Sequence, residues 1–153
     1  MTTEEAMRRF AEARVARLAT VDQNGRPHLV PICFAVDAVT AGAIDAIDAI
    51  DAIDTIDTIY SAVDAKPKTT PDLKRLRNIE ANPHVTLIVD QYDEDWARVW
   101  WVRVDGTAEV HDTHTRGRAA LASKYEQYRD AALGRVVVIR PSKWTAWAYT
   151  DLG

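Results

Sequence analysis

The chain has 153 residues, 47% of them apolar and 27% charged, and a formal net charge of −4. That suits a single globular domain with a core of ordinary extent, and the acidity excludes a general nucleic-acid binder. One cysteine, Cys33, excludes an internal disulfide; with no apolar run suited to a signal peptide or a bilayer span, the expected location is the cytoplasm.

Thr2 to Ala13 reads as a short amphipathic helix: Thr3 can cap it, Glu4 and Glu5 suit its first turn, and Ala6, Phe10 and Ala13 share a face. Arg14 to Val21 alternates as a strand. Asp22-Gln23-Asn24-Gly25 is a tight turn in which Asn-Gly supplies positive φ angles. Arg26 to Val36 is the return strand, and its prolines at 27 and 31 suit an edge or a bulge. Ala43 to Ile59 carries five consecutive Ala/Thr-Ile-Asp triplets. A period of three keeps the isoleucines on one face of neither a helix nor a strand, so the tract reads as an expanded hairpin loop inserted at about residues 41–58 of the single domain. It has no glycine or glutamate at the offsets of a calcium loop, and metal is not expected there.

His84 to Tyr92 is a strand, Asp93 to Asp95 an acidic turn, and Val99 to His111 a long strand that Asp105-Gly106 can bulge. Trp100 and Trp101 are adjacent and so point to opposite faces, which sends one of them out of the core. Thr113 to Arg129 reads as helical, with Ala119, Ala120, Leu121 and Tyr125 on the buried side. Arg135 to Ile139 and Lys143 to Tyr149 are two strand segments interrupted at Pro141. About six strands with hairpin connections and few helices predict a mainly β fold built as a small antiparallel barrel.

The stretch from Ser61 to Asn82 concentrates the chemistry. A strand ends at Ser61-Ala62-Val63, a basic turn follows at Lys66-Pro67-Lys68, and Thr70-Pro71 marks a helix start with Thr70 as N-cap. The helix carries Lys74, Arg75 and Arg77 and stops before Pro83. Cations and helix N–H groups together suit a phosphate or a carboxylate-rich ligand. Glycine-rich phosphate loops, zinc helices and nucleophile elbows are absent from the sequence. Cys33 reads as a buried inert thiol, and His111 and His114 lack further ligands in register for zinc. With no evident catalytic acid, base or nucleophile, a bound cofactor is expected to carry the reaction.

Four motifs, L-A-T-x-x-x-x-G-R-P-H from Leu18, K-P-K at Lys66–Lys68, L-R-N-I-x-x-N-P from Leu76 and W-W-V-R-V-D-G from Trp100, occur in an order that resembles the split-barrel flavin and deazaflavin proteins. More narrowly, the chain is similar to the actinobacterial, pyridoxamine-phosphate-oxidase-like group that uses coenzyme F420. The resemblance covers most of the chain outside the triplet repeat. It implies a six-stranded antiparallel split β-barrel with short flanking helices, paired as a homodimer with the cofactor in a groove at the interface. It further implies that Lys66, Lys68 and Thr69 hold the cofactor phosphate and the start of its acidic tail, with Ser61, Arg75 and Asn78 nearby. Val30, Pro31 and Ile32 would flank the ring, and the partner subunit's Trp100 or the partner subunit's Arg103 would cover its other side. The implied reaction is hydride transfer between the deazaflavin and a small organic substrate; FMN in the same groove, or a non-catalytic binder of the cofactor or of haem, are the alternatives. Deleting Ala43 to Asp57 is expected to leave folding and cofactor binding nearly unchanged.

Overall fold

The computed structural model describes residues 1–39, 55–63 and 73–152. In it, β1 (Ala16–Val21), β2 (Pro27–Ile32), β3 (Ala35–Val39), β4 (Thr55–Ala62), β5 (His84–Gln91), β6 (Trp100–His111) and β7 (Val136–Ala148) form one sheet. Helices α1 (Thr3–Glu12), α2 (Lys74–Ala81) and α3 (Thr115–Lys124) pack against it. All pairings are antiparallel, in the order β2-β1-β5-β6-β7-β4-β3. The two edge strands follow each other in the chain with only Cys33 and Phe34 between them, so the chain itself links the edges of a split barrel.

That link corrects the sequence expectation of one return strand from Arg26 to Val36. The strand breaks because Phe34 is fully buried and its backbone is taken by a side chain distant in sequence. Tyr125 Oη accepts the Phe34 N–H at 3.0 Å and shares its own proton between the carbonyls of Phe34, at 2.9 Å, and Arg14, at 2.8 Å. Burial, above all, raises the Tyr125 hydroxyl above its ordinary range, which keeps it a neutral donor. Tyr125→Phe strands a buried N–H and is expected to lower stability by about 1–3 kcal/mol, read as a shifted denaturant midpoint with unchanged slope. An unchanged midpoint would show that the bend holds without the hydroxyl.

Several further boundaries differ from expectation. Thr2, not Thr3, caps α1, accepting the Glu5 N–H at 3.1 Å. The first hairpin turns on Gly25 alone, at φ 79°, while Asp22 accepts the N–H groups of Asn24 and Arg26. Strand β4 begins at Thr55, so the last triplet of the repeat is strand, and its Ile56 is 2% exposed. Deleting 43–57 therefore removes a core side chain, and the expected tolerance holds at most for a cut ending before Thr55; residues 40–54 lie outside the described residues. The two segments around Pro141 form one strand, because Pro141 stands opposite Gly106, where the β6–β7 register shifts and no ladder N–H is required. The expected third helix stops at Lys124 and a short 3-10 turn follows, and Ala119 is exposed rather than buried.

The main core gathers Phe10, Leu18, Phe34, Leu87, Val102 and Ile139. Phe10 of α1 meets Phe34 with ring centres 4.8 Å apart and Trp144 edge-on at 5.1 Å. A second cluster joins β3, β4 and β7 to α3 through Tyr60, Leu121, Tyr125 and Val138. Cys33 is half-buried beside it. No described helix is long and apolar enough to cross a membrane.

Candidate functional site

Helix α2 is built against local preference. Its N-cap is Leu73, which offers no side-chain hydrogen bond, and its first turn holds no acid. Lys74 and Arg75 occupy that turn, where each cation opposes the helix dipole. The helix start therefore lies three residues beyond the expected position, while Thr70 and Pro71 fall outside the described residues. Tertiary packing holds the helix instead: Leu76 and Ile79 are buried, and buried Asn78 donates from Nδ2 to Thr20 Oγ1 of β1 at 3.0 Å.

A cavity of about 310 Å³ runs between α2 and the β1–β2 turn, lined by Asp22, Asn24, Lys74, Arg77 and Asn78 among others. Lys74 Nζ stands 3.8 Å from Asp22 Oδ2. The Arg26 N–H, above all, holds the Asp22 carboxyl below its usual range, with the Asn24 N–H and Lys74 adding to it. This long, exposed ion pair is worth little and leaves the lysine easy to redirect.

The structure separates the expected ring-flanking residues by face. Val30 and Ile32 turn into the barrel, Ile32 fully, whereas Pro31 is exposed. Pro31 begins a row across the outer face that continues through Arg17, Ile88, Arg103 and Thr145. Arg103 thus shares a face with Pro31; it lies 5.5 Å from the Trp101 ring centre and 3.9 Å from Asp105. Trp100 takes the opposite face, half-buried against the main core, with Arg9 at 5.0 Å from its ring centre. Ser61 is buried, and its Oγ donates to the Cys33 carbonyl at 2.9 Å, tying the end of β4 to the bend beyond Ile32. This bond ties β4 to the link between the two edge strands, next to the strand that carries Pro31. Lys66, Lys68 and Thr69 lie outside the described residues.

Lys74, one of the cations the sequence reading placed on this helix, stands in its first turn against the dipole. His28 is a residue that reading gave no role: it sits opposite Thr20, and its Nδ1 is buried with no hydrogen-bond partner among the described residues. Strand alternation puts His28 on the same side as Val30, and His28 also closes the L-A-T-x-x-x-x-G-R-P-H motif that begins at Leu18. His111 and His114 stack edge-on at 5.4 Å, and His114 Nδ1 caps α3 by accepting the Gly117 N–H.

The outer face is mixed. Leu29 is 65% exposed and Val15 41%, and half-buried Ile88, Trp101 and Trp147 lie among Arg17, Arg103 and Lys143. Thr145 Oγ1 is buried there without a hydrogen-bond partner among the described residues.

Solved structures share this fold at low identity. The protein Rv2991 from Mycobacterium tuberculosis is 18% identical with a TM-score of 0.65, over 100% of this chain and 89% of its own. HutZ, the haem storage protein of Vibrio cholerae, is 16% identical with a TM-score of 0.61, over 97% and 95%. An F420 reductase is 21% identical with a TM-score of 0.53, over 88% and 92%. No curated protein matches the sequence. Residues 2–148 match the pyridoxamine 5'-phosphate oxidase family, and the chain belongs to it.

Proposed function

We propose that the protein is a cytoplasmic, coenzyme F420-dependent oxidoreductase that acts on a small organic substrate. The observation that carries this reading is the uncapped, cationic start of α2. With Lys74 and Arg75 and no acid in its first turn, this helix start is locally unfavourable, and a bound anion would relieve it beyond what Asp22, 3.8 Å from Lys74, supplies. Family membership and the likeness to an F420 reductase support the class of cofactor.

The residues present suit a phosphorylated planar ring. Strand β2 is an edge strand, so one side of its backbone has no sheet partner, and Pro31 adds a flat apolar wall. In this reading Lys66, Lys68 and Thr69, with Arg75, hold the phosphate and the acidic tail. Asn78 and Ser61 act through position, because both side chains are buried and bonded to Thr20 and to the Cys33 carbonyl. When bound, the deazaflavin supplies hydride chemistry; the chain binds it, orients it and excludes water. The outer face supports a homodimer: tryptophan, arginine and exposed apolar residues in one patch are typical of interface centres. There the partner subunit's Arg103 reaches the cofactor groove more readily than the partner subunit's Trp100, because only Arg103 lies on that face.

FMN suits the same cations, and the likeness to HutZ makes haem storage the other reading. Titrating purified protein with F420, FMN and haem, followed by tryptophan fluorescence, separates the three. Tight binding of F420 alone, weakened in Lys68→Ala, is the expected result. Preference for FMN keeps the fold and changes the enzyme, and haem binding alone removes the oxidoreductase reading.

A further inference from the structure

A cavity of about 600 Å³ lies between the end of α1, edge strand β3 and α3. That volume is in the range of small-molecule sites. It shares no residue with the proposed cofactor groove. Ala11, Ala35, Val36 and Ala120 give it a floor of small apolar side chains drawn from three elements.

Two cations stand at one end. Lys124 Nζ donates to the Ala13 carbonyl at 2.6 Å and lies 3.8 Å above the Phe34 ring centre. The Arg14 guanidinium lies 4.8 Å from the Tyr125 ring centre, and Lys124 Nζ is 5.4 Å from the same centre. Neither cation makes an ion pair among the described residues. Of the carboxylates lining the cavity, Asp37 is engaged by Tyr60 Oη at 2.6 Å and by Arg116 at 2.7 Å. Glu12 is the other. Adjacent cations with no carboxylate between them, over an apolar floor, select an anionic and largely apolar guest.

We propose that this cavity is a second ligand site that takes a small planar carboxylate, its ring on the alanine floor and its acid group between Lys124 and Arg14.

Proton linkage distinguishes this site from a merely greasy hollow. Burial, aided by Arg14, lowers Lys124 to about 8. The groups facing it are Arg14, Glu12 on α1, Cys33, Asp37 on β3 and Tyr125 at the C-terminal cap of α3. A carboxylate beside Lys124 favours the charged amine. Below pH 8 the amine is protonated with or without ligand, and affinity is flat. Above pH 8 binding must take up a proton, and affinity falls about tenfold per pH unit.

The test is calorimetric titration of the full chain with 2-naphthoate at pH 7 and pH 9.5. One saturable site, at least about tenfold weaker at pH 9.5, is expected from that linkage. Ser123→Trp, a change at an exposed position on the cavity wall, should abolish binding while leaving cofactor titration unaltered. Glu12→Gln should tighten binding by about threefold through lost repulsion, and Lys124→Met should weaken it about tenfold at pH 7 and remove the pH slope. Cys33→Ser should keep the slope. Absence of saturable binding, equal affinity at the two pH values in the parent, or binding indifferent to Ser123→Trp each overturns the proposal.

Discussion

Replacing Lys74 and Arg75 together by glutamine is expected to weaken cofactor binding by about 10²-fold or more, since two charge-assisted contacts at about 1.5 kcal/mol each are lost. The same change should leave the melting temperature within about 3 °C of the parent, because relief of the dipole conflict offsets the loss of the exposed Lys74–Asp22 pair and of the interaction that Arg75 makes. These opposite demands make the double variant informative. A purely solvated basic helix would lose neither affinity nor stability. A helix whose cations mainly brace the fold would lose stability along with affinity. Only a ligand-directed start loses affinity alone. Equilibrium titration with F420 and a thermal melt on the same preparation read both quantities, and retained affinity would move the anion contact off α2 altogether.

The conflict at α2 was partly legible in the chain. Three basic residues between Lys74 and Arg77, ahead of Asn82-Pro83, mark a cationic helix, and the helix forms. Its start was not legible, because Thr70-Pro71 offers a sound local cap signal while the helix begins at Lys74, where Leu76 and Ile79 can reach the core. The first hairpin came through for the opposite reason: alternation and the Asp22–Gly25 turn agree, and no distant residue contests them. The bend between β2 and β3 depends on Tyr125, 91 positions from Phe34, and no local pattern encodes such a bond. The separation of Pro31 from Val30 and Ile32 was implicit in strand alternation, yet a motif names three consecutive residues without saying which faces the ligand. The orphaned Nδ1 of His28 and the paired cations at Lys124 and Arg14 arise only when separate elements meet. Such juxtapositions carry no sequence signature.

Gly106→Ala should be far more damaging than Gly25→Ala, although Gly25 is the glycine with the unusual backbone. Gly25 has φ 79° and nothing within 4 Å of an added Cβ, so the substitution costs backbone strain alone, about 1 kcal/mol. Gly106 has no positive φ. Its requirement is space: an added Cβ would stand 2.4 Å from the Arg140 carbonyl oxygen and 3.2 Å from Pro141 Cα. Both are backbone atoms, so no rotamer change relieves the clash, and β6 must part from β7 at the bulge. Overpacking of this kind costs about 3 kcal/mol or more, which corresponds to a melting temperature lowered by about 6–12 °C for a chain of this size. The damage should extend to the outer face, since Arg103 and Asp105 lie just ahead of the bulge and pair with Thr145 and Lys143. If that face forms the dimer, sedimentation of Gly106→Ala below its melting temperature should show dissociation at concentrations where Gly25→Ala stays paired. An equal or smaller loss of stability than for Gly25→Ala would mean that β6 and β7 adjust freely at this point, and the bulge would then be a consequence of Pro141 and not a fixed feature of the barrel.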